Sequence, residues 1–88
     1  MAARRTESGR ITIVQESRFH LAADDGRGYL FVLARGANVG ADDLGRLRAA
    51  GARVAVAYTG TPGLASCVAH EVRPAAREAV SAAGERRS

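Results

Sequence analysis

The sequence predicts an all-β barrel with one short helix, in the element order β-β-β-α-β-β. Three observations predict it. Residues 9–35 form a near-continuous meander in which apolar side chains recur at every second position, the repeat of a strand with one buried face. Residues 41–50 are the one segment with good helical spacing. Two further alternating segments, 52–59 and 64–73, follow that helix.

Ile11, Ile13, Phe19 and Leu21 share one face of the first segment, while Thr12, Val14, Arg18 and His20 share the other. Gln15 and Ser17 interrupt the apolar face. A tight turn or a sharp bend at Gln15-Glu16-Ser17 accounts for this, which favours two strands, 10–14 and 18–23, over one long bent strand, with Ile11, Ile13 and Phe19 facing inward. Asp24-Asp25-Gly26-Arg27-Gly28 is a hairpin signal, because Asp and Gly adopt positive φ at low cost. The third strand, 29–35, carries Tyr29, Phe31 and Leu33 on one face and Leu30, Val32 and Ala34 on the other. With the aromatic face inward, Leu30, Val32 and Ala34 form an outward apolar row, which implies a partner or a covering segment.

Gly36, Asn38 and Gly40 end that strand. In the helix, Asp42 and Asp43 occupy the first turn and Arg46 and Arg48 lie toward the end, matching the helix dipole. Leu44 and Leu47 make a narrow apolar stripe, and Gly51 is a C-terminal stop. Gly45 costs about 1 kcal/mol relative to Ala, so this helix depends on packing and is expected to plug one end of a barrel. Val54, Val56 and Tyr58 share a face of the fourth strand. Gly60-Thr61-Pro62-Gly63 is a turn. The fifth strand sets Ser66, Val68, His70 and Val72 opposite Ala65, Cys67, Ala69 and Glu71, and Pro74 ends it.

With 88 residues, the chain is long enough for one domain with a thin core, burying about 60% of its unfolded surface. Residues 1–8 lack apolar periodicity and are expected to be a flexible N-terminal arm. Residues 9–73 form the barrel, and residues 74–88 a flexible or weakly helical tail whose one bulky apolar residue is Val80. No apolar run approaches the roughly 20 residues that span a bilayer, and no secretory h-region follows the N-terminus. A cytoplasmic location is the expectation, and the single cysteine, Cys67, fits it. All 13 basic residues are arginine, and the net charge of +4 is spread thinly rather than clustered. Charge of that kind permits a nucleic-acid partner without requiring one.

The pattern Ile11-Thr12-Ile13-Val14, Phe19-His20-Leu21, Phe31-Val32-Leu33, Arg53-Val54-Ala55-Val56 and Val68-Ala69-His70-Glu71-Val72, with a helix between the third and fourth strands, resembles the OB-fold. That fold is a five-stranded Greek-key barrel, and the chain also looks like small bacterial OB-like domains of unknown function. The likeness covers about residues 9–73. A four-stranded SH3-like barrel is the alternative. The resemblance implies a binding surface on the second and third strands, flanked by the loops joining strands one to two and four to five.

Two functions are expected, the first from this resemblance and the positive charge, the second from the two apolar faces of the third strand. In one, a non-enzymatic module binds single-stranded DNA or RNA through Arg18, His20, Arg27, Arg35 and Arg53. In the other, Leu30 and Val32 on the third strand meet another protein or a second copy. Stacking platforms for bases would have to come from Phe19, Tyr29, Phe31 or Tyr58, all of which fall on faces expected to be core. No cofactor is implied. Cys67 and His70 lie three apart on a strand, hence on opposite faces, which excludes a shared metal without a bulge. Ser66, His70 and Glu71 have the letters of a triad, but Ser66 is not on a strand-to-helix elbow. No catalytic set is predicted.

Overall fold

Residues 4–61 and 66–75 are described by the computed structural model. The elements are β1 (Arg5–Gln15), β2 (Arg18–Ala23), β3 (Gly28–Leu33), α1 (Ala41–Ala50), β4 (Arg53–Thr59) and β5 (Cys67–Pro74). The five strands close into a barrel in the order β1-β2-β3-β5-β4. β3 and β5 run parallel, joined at Phe31–Cys67, Val32–Val68 and Leu33–Ala69, while the remaining ladders are antiparallel. This is the small, all-β, OB-like barrel with one helix that the sequence predicts, with five strands rather than four.

β1 closes the barrel by pairing with β4 along its first half and with β2 along its second. The change of partner falls at Gly9, where the strands approach so closely that a Cβ would lie 2.1 Å from the Ala22 carbonyl oxygen. Only a residue without a side chain fits there. Glu16, at φ 57, makes the left-handed position of the β1–β2 turn.

The core is the lumen. Phe19, Leu21, Tyr29, Phe31, Val54, Val56 and Tyr58 fill it, and Leu44 of α1 inserts fully buried among them. The Phe31 ring lies 5.2 Å from both Phe19 and Tyr58, a spacing at which tilted rings attract. Burial pushes the Cys67 thiol pKa up, and the side chain serves as a small core residue.

α1 has the bounds expected. Asp43 Oδ2 accepts from the Gly40 N–H at 2.9 Å, closing the N-terminus, and Gly51 at φ 64 ends the helix. Two arginines tie the helix to β1: Arg48 Nε donates to the Thr12 carbonyl at 2.8 Å, and Arg10 Nε to the Gly51 carbonyl at 3.1 Å. The linker into α1 is clamped by Asn38, whose amide donates to the Val72 carbonyl at 3.0 Å and accepts from the Val72 N–H at 2.8 Å.

The structure corrects three expectations. β1 begins at Arg5, so residues 5–8 are strand rather than flexible arm, pairing with Tyr58, Ala57, Val56 and Ala55. Strand pairing uses the backbone alone, so a polar segment can complete a barrel without apolar periodicity. Second, the register slips between Ile11 and Ile13, leaving Thr12 as an extra residue. The slip turns Ile13 outward, 56% exposed, and Val14 inward. Third, a slip between Ala57 and Tyr58 leaves His70 as an extra residue in β5. Cys67, Ala69 and Val72 therefore face the core, while His70 and Glu71 are consecutive, half-buried residues outside it, not on opposite faces. Pro74 belongs to β5, and the Ala75 N–H donates to the Arg53 carbonyl at 2.9 Å. The expected Pro62-Gly63 turn and the tail 76–88 lie outside the described residues.

Candidate functional site

The outer surface of β1, β2 and β3 carries two rows of side chains set by the cross-strand register. Ile13, His20 and Leu30 make the first row. Gln15, Arg18 and Val32 make the second, which continues to Val68 of β5. Ile13 and Leu30 are 56% and 61% exposed and Val68 38%, the three exposed large hydrophobic side chains among the described residues. A half-open groove of about 340 Å³ runs between the rows, lined by Ile13, Gln15, Arg18, His20, Leu30 and Ser66, among others.

His20 is fixed in this groove. Its Nδ1 lies 2.7 Å from the Thr12 hydroxyl, and its ring covers Gly28, where a Cβ would stand 2.6 Å from Nε2. The bulge at Thr12 is what creates the arrangement, because it brings Ile13 out beside His20.

The residues expected to bind nucleic acid are not brought together. Arg18 and His20 lie on the face. Arg27 sits at the β2–β3 hairpin tip, its side chain 3.9 Å from the Asp25 carboxylate. Its pKa is raised by the Tyr29 hydroxyl, with Asp25 adding to the effect. Arg53, at the start of β4, donates from Nε to Asp24 Oδ2 at 2.9 Å and pairs with it through a second nitrogen. That hydrogen bond holds the Asp24 carboxyl below its usual pKa. Arg35 is exposed just past the end of β3, the end at which Leu33 N–H bonds the Ser17 carbonyl of the β1–β2 turn. Leu30 is on the face as expected, and Val32 is half-buried there. All four aromatic rings are 5% exposed or less, so none offers a stacking platform.

Ile13 and Val68 belong to this surface and were not among the expected site residues, and neither was Arg48 of α1, which bonds the Thr12 carbonyl beside it. Outwardness of Ile13 follows from the bulge, for which the sequence around Thr12 has no local signal.

A second, polar pocket of about 250 Å³ lies at the β5 bulge, lined by Arg4, Ala34, Gly36, Asn38, His70 and Glu71. Its polar groups are largely engaged by the protein itself. His70 Nε2 lies 2.9 Å from the Thr59 hydroxyl, Asn38 holds Val72, and Arg73 Nε lies 3.1 Å from Glu71. The Arg73 hydrogen bond keeps the Glu71 carboxyl below its usual pKa. Among the described residues no group of three or more His, Cys, Asp or Glu could hold a metal ion, and no helix is long and apolar enough to cross a membrane. Comparison with known proteins finds no family model, curated protein or solved structure that matches this chain.

Proposed function

We propose that the chain is a binding module, not a catalyst, and that it receives another protein on the outer face of β1, β2 and β3. One observation supports this reading above the rest. Ile13 and Leu30 stand more than half exposed on either side of His20, on a barrel whose other large apolar side chains are mostly buried. Apolar groups held in contact with water on a rigid sheet favour a partner that removes them from it. The nucleic-acid reading is weaker on the same geometry. Base stacking has no Phe or Tyr ring to use, and Arg27 and Arg53 are neutralised locally by Asp25 and Asp24.

The test uses the wild-type chain and Leu30→Asp as baits, alongside light scattering of each. Proteins retained by the wild type and lost with Leu30→Asp, or a wild-type oligomer reduced to monomer by it, are expected. Identical retained sets and identical masses would sink the proposal. Labelled single-stranded oligonucleotides titrated across a salt series decide the other reading, since phosphate contacts weaken steeply with salt.

A further inference from the structure

The groove is lined by aliphatic and aromatic side chains and one cation, Arg18. A second cation, Arg48, lies outside the lining, held against the Thr12 carbonyl one residue from Ile13. Neither arginine has an ion-pair partner among the described residues, whereas Arg27, Arg46, Arg53 and Arg73 all have one. No acid lines the groove; Glu16, at the exposed tip of the β1–β2 turn, lines a neighbouring hollow that Arg18 also borders. Gln15 adds a neutral polar group on the Arg18 side. Arg4, Arg5, Arg10 and Arg35 likewise lack an ion pair among the described residues, so what marks this groove is its lining, which holds the cation Arg18 beside exposed aliphatic side chains and no acid.

From this we infer that the occupant of the groove is a peptide segment combining aliphatic and acidic residues. Its aliphatic side chains cover Ile13 and Leu30, and its carboxylates meet Arg18 and Arg48. The inference rests on the outer-face reading above and adds the partner's chemistry. Burial of the aliphatic contacts supplies most of the attraction, while the two guanidinium groups select the sign of charge and orient the segment. A guanidinium and a carboxylate brought together at the edge of an apolar contact are partly desolvated, so their pairing counts for more than a free surface pair. A basic segment of equal apolarity would place like charges beside Arg18 and Arg48. A single-stranded oligonucleotide could satisfy the arginines but would leave Ile13 and Leu30 uncovered.

Fluorescence anisotropy with three short synthetic peptides tests this. One alternates Leu with Glu, one alternates Leu with Lys, and one alternates Ser with Glu. The Leu/Glu peptide is expected to bind about tenfold or more tighter than either of the others, a difference of about 1.4 kcal/mol. Arg18→Glu, an exposed substitution that leaves the core untouched, should remove or reverse the preference for Glu over Lys. Leu30→Asp should abolish binding of all peptides. Equal binding of the Leu/Glu and Leu/Lys peptides, both lost with Leu30→Asp, would overturn the charge selection and leave the outer-face reading standing. Leu/Glu binding indifferent to both Arg18→Glu and Leu30→Asp would overturn the two together. A single-stranded oligonucleotide that outcompetes the Leu/Glu peptide, and loses affinity with Arg18→Glu, would replace the peptide by nucleic acid.

Discussion

A methyl group added at Gly9 would meet the Ala22 carbonyl oxygen at 2.1 Å and the Ala23 Cα at 2.7 Å, all of them backbone atoms that cannot rotate away. Relief requires moving β1 off β2 at the corner where the barrel changes partner. Gly9→Ala should therefore cost at least about 2 kcal/mol. Gly45, inside α1, is the opposite case, with nothing within 4 Å of its added Cβ. There Gly45→Ala should gain about 1 kcal/mol from helix propensity. Chemical denaturation of the two variants checks both signs. Asp24 makes a further prediction at this scale. Its carboxyl is held below the ordinary value by the hydrogen bond from Arg53, so the ion pair stabilises the fold above the unfolded-state pKa of about 4. That contribution disappears as the pH falls through the lower folded value, because the folded state must then take up a proton it resists. Asp24→Asn should flatten the acid limb of a stability-against-pH curve and leave the neutral-to-alkaline limb parallel to the wild type.

Among the elements, α1 was legible to the residue and the β1–β2 turn to within one residue. Asp42 and Asp43 at one end and Gly51 at the other fix the helix, and the polar pair around Glu16 marks the turn. The existence and order of the strands were legible too, because burial of one face forces alternation, but their ends were not: β1 starts five residues early at Arg5, β3 stops at Leu33 and β5 starts at Cys67. What alternation hides is a change of phase. Nothing about Thr12 or His70 distinguishes a bulged residue from a paired one, since the cause lies in the partner strand and in the coiling of the barrel. So the helix and strands could be read from the chain, while the exposure of Ile13, and with it half of the apolar row, could not. The same phase argument yields a prediction. Removing Thr12 leaves Ile11 inward, Ile13 outward and Val14 inward, an unbroken alternation. Removing His70 likewise leaves Ala69 inward, Glu71 outward and Val72 inward. Deleting either bulged residue should preserve a cooperative thermal transition, with some loss of stability from the missing Thr12–His20 or His70–Thr59 hydrogen bond. Deletion of Ala55, in the regular stretch of β4, moves one side of the strand's core face to solvent and should abolish that transition. Circular dichroism melting curves of the three deletions decide it.

Over the whole molecule, closure is uneven. The β1–β2 and β4–β5 ladders extend along most of their strands, whereas β3 and β5 meet only from Phe31–Cys67 to Leu33–Ala69. A parallel ladder is also slightly weaker per residue than an antiparallel one. Opening should begin there, with the Ala34 N–H bonded to the Ala69 carbonyl among the first to exchange and amides joining β1 to β2 among the last. Amide exchange followed by nuclear magnetic resonance orders them directly. Uniform protection across all five ladders would instead mean that the barrel opens in one step. The short parallel join has a chemical corollary through the sulfur that lies on its inner side. Cys67 pairs with Phe31 at the very start of the join and is shut away from solvent, with its acidity suppressed. An alkylating reagent can reach that thiolate only in molecules whose wall has parted, so the rate of alkylation measures how often the wall parts. A bound segment that grips β3 should slow the reaction without touching the sulfur, which gives a partner-independent signal for occupancy of the outer face.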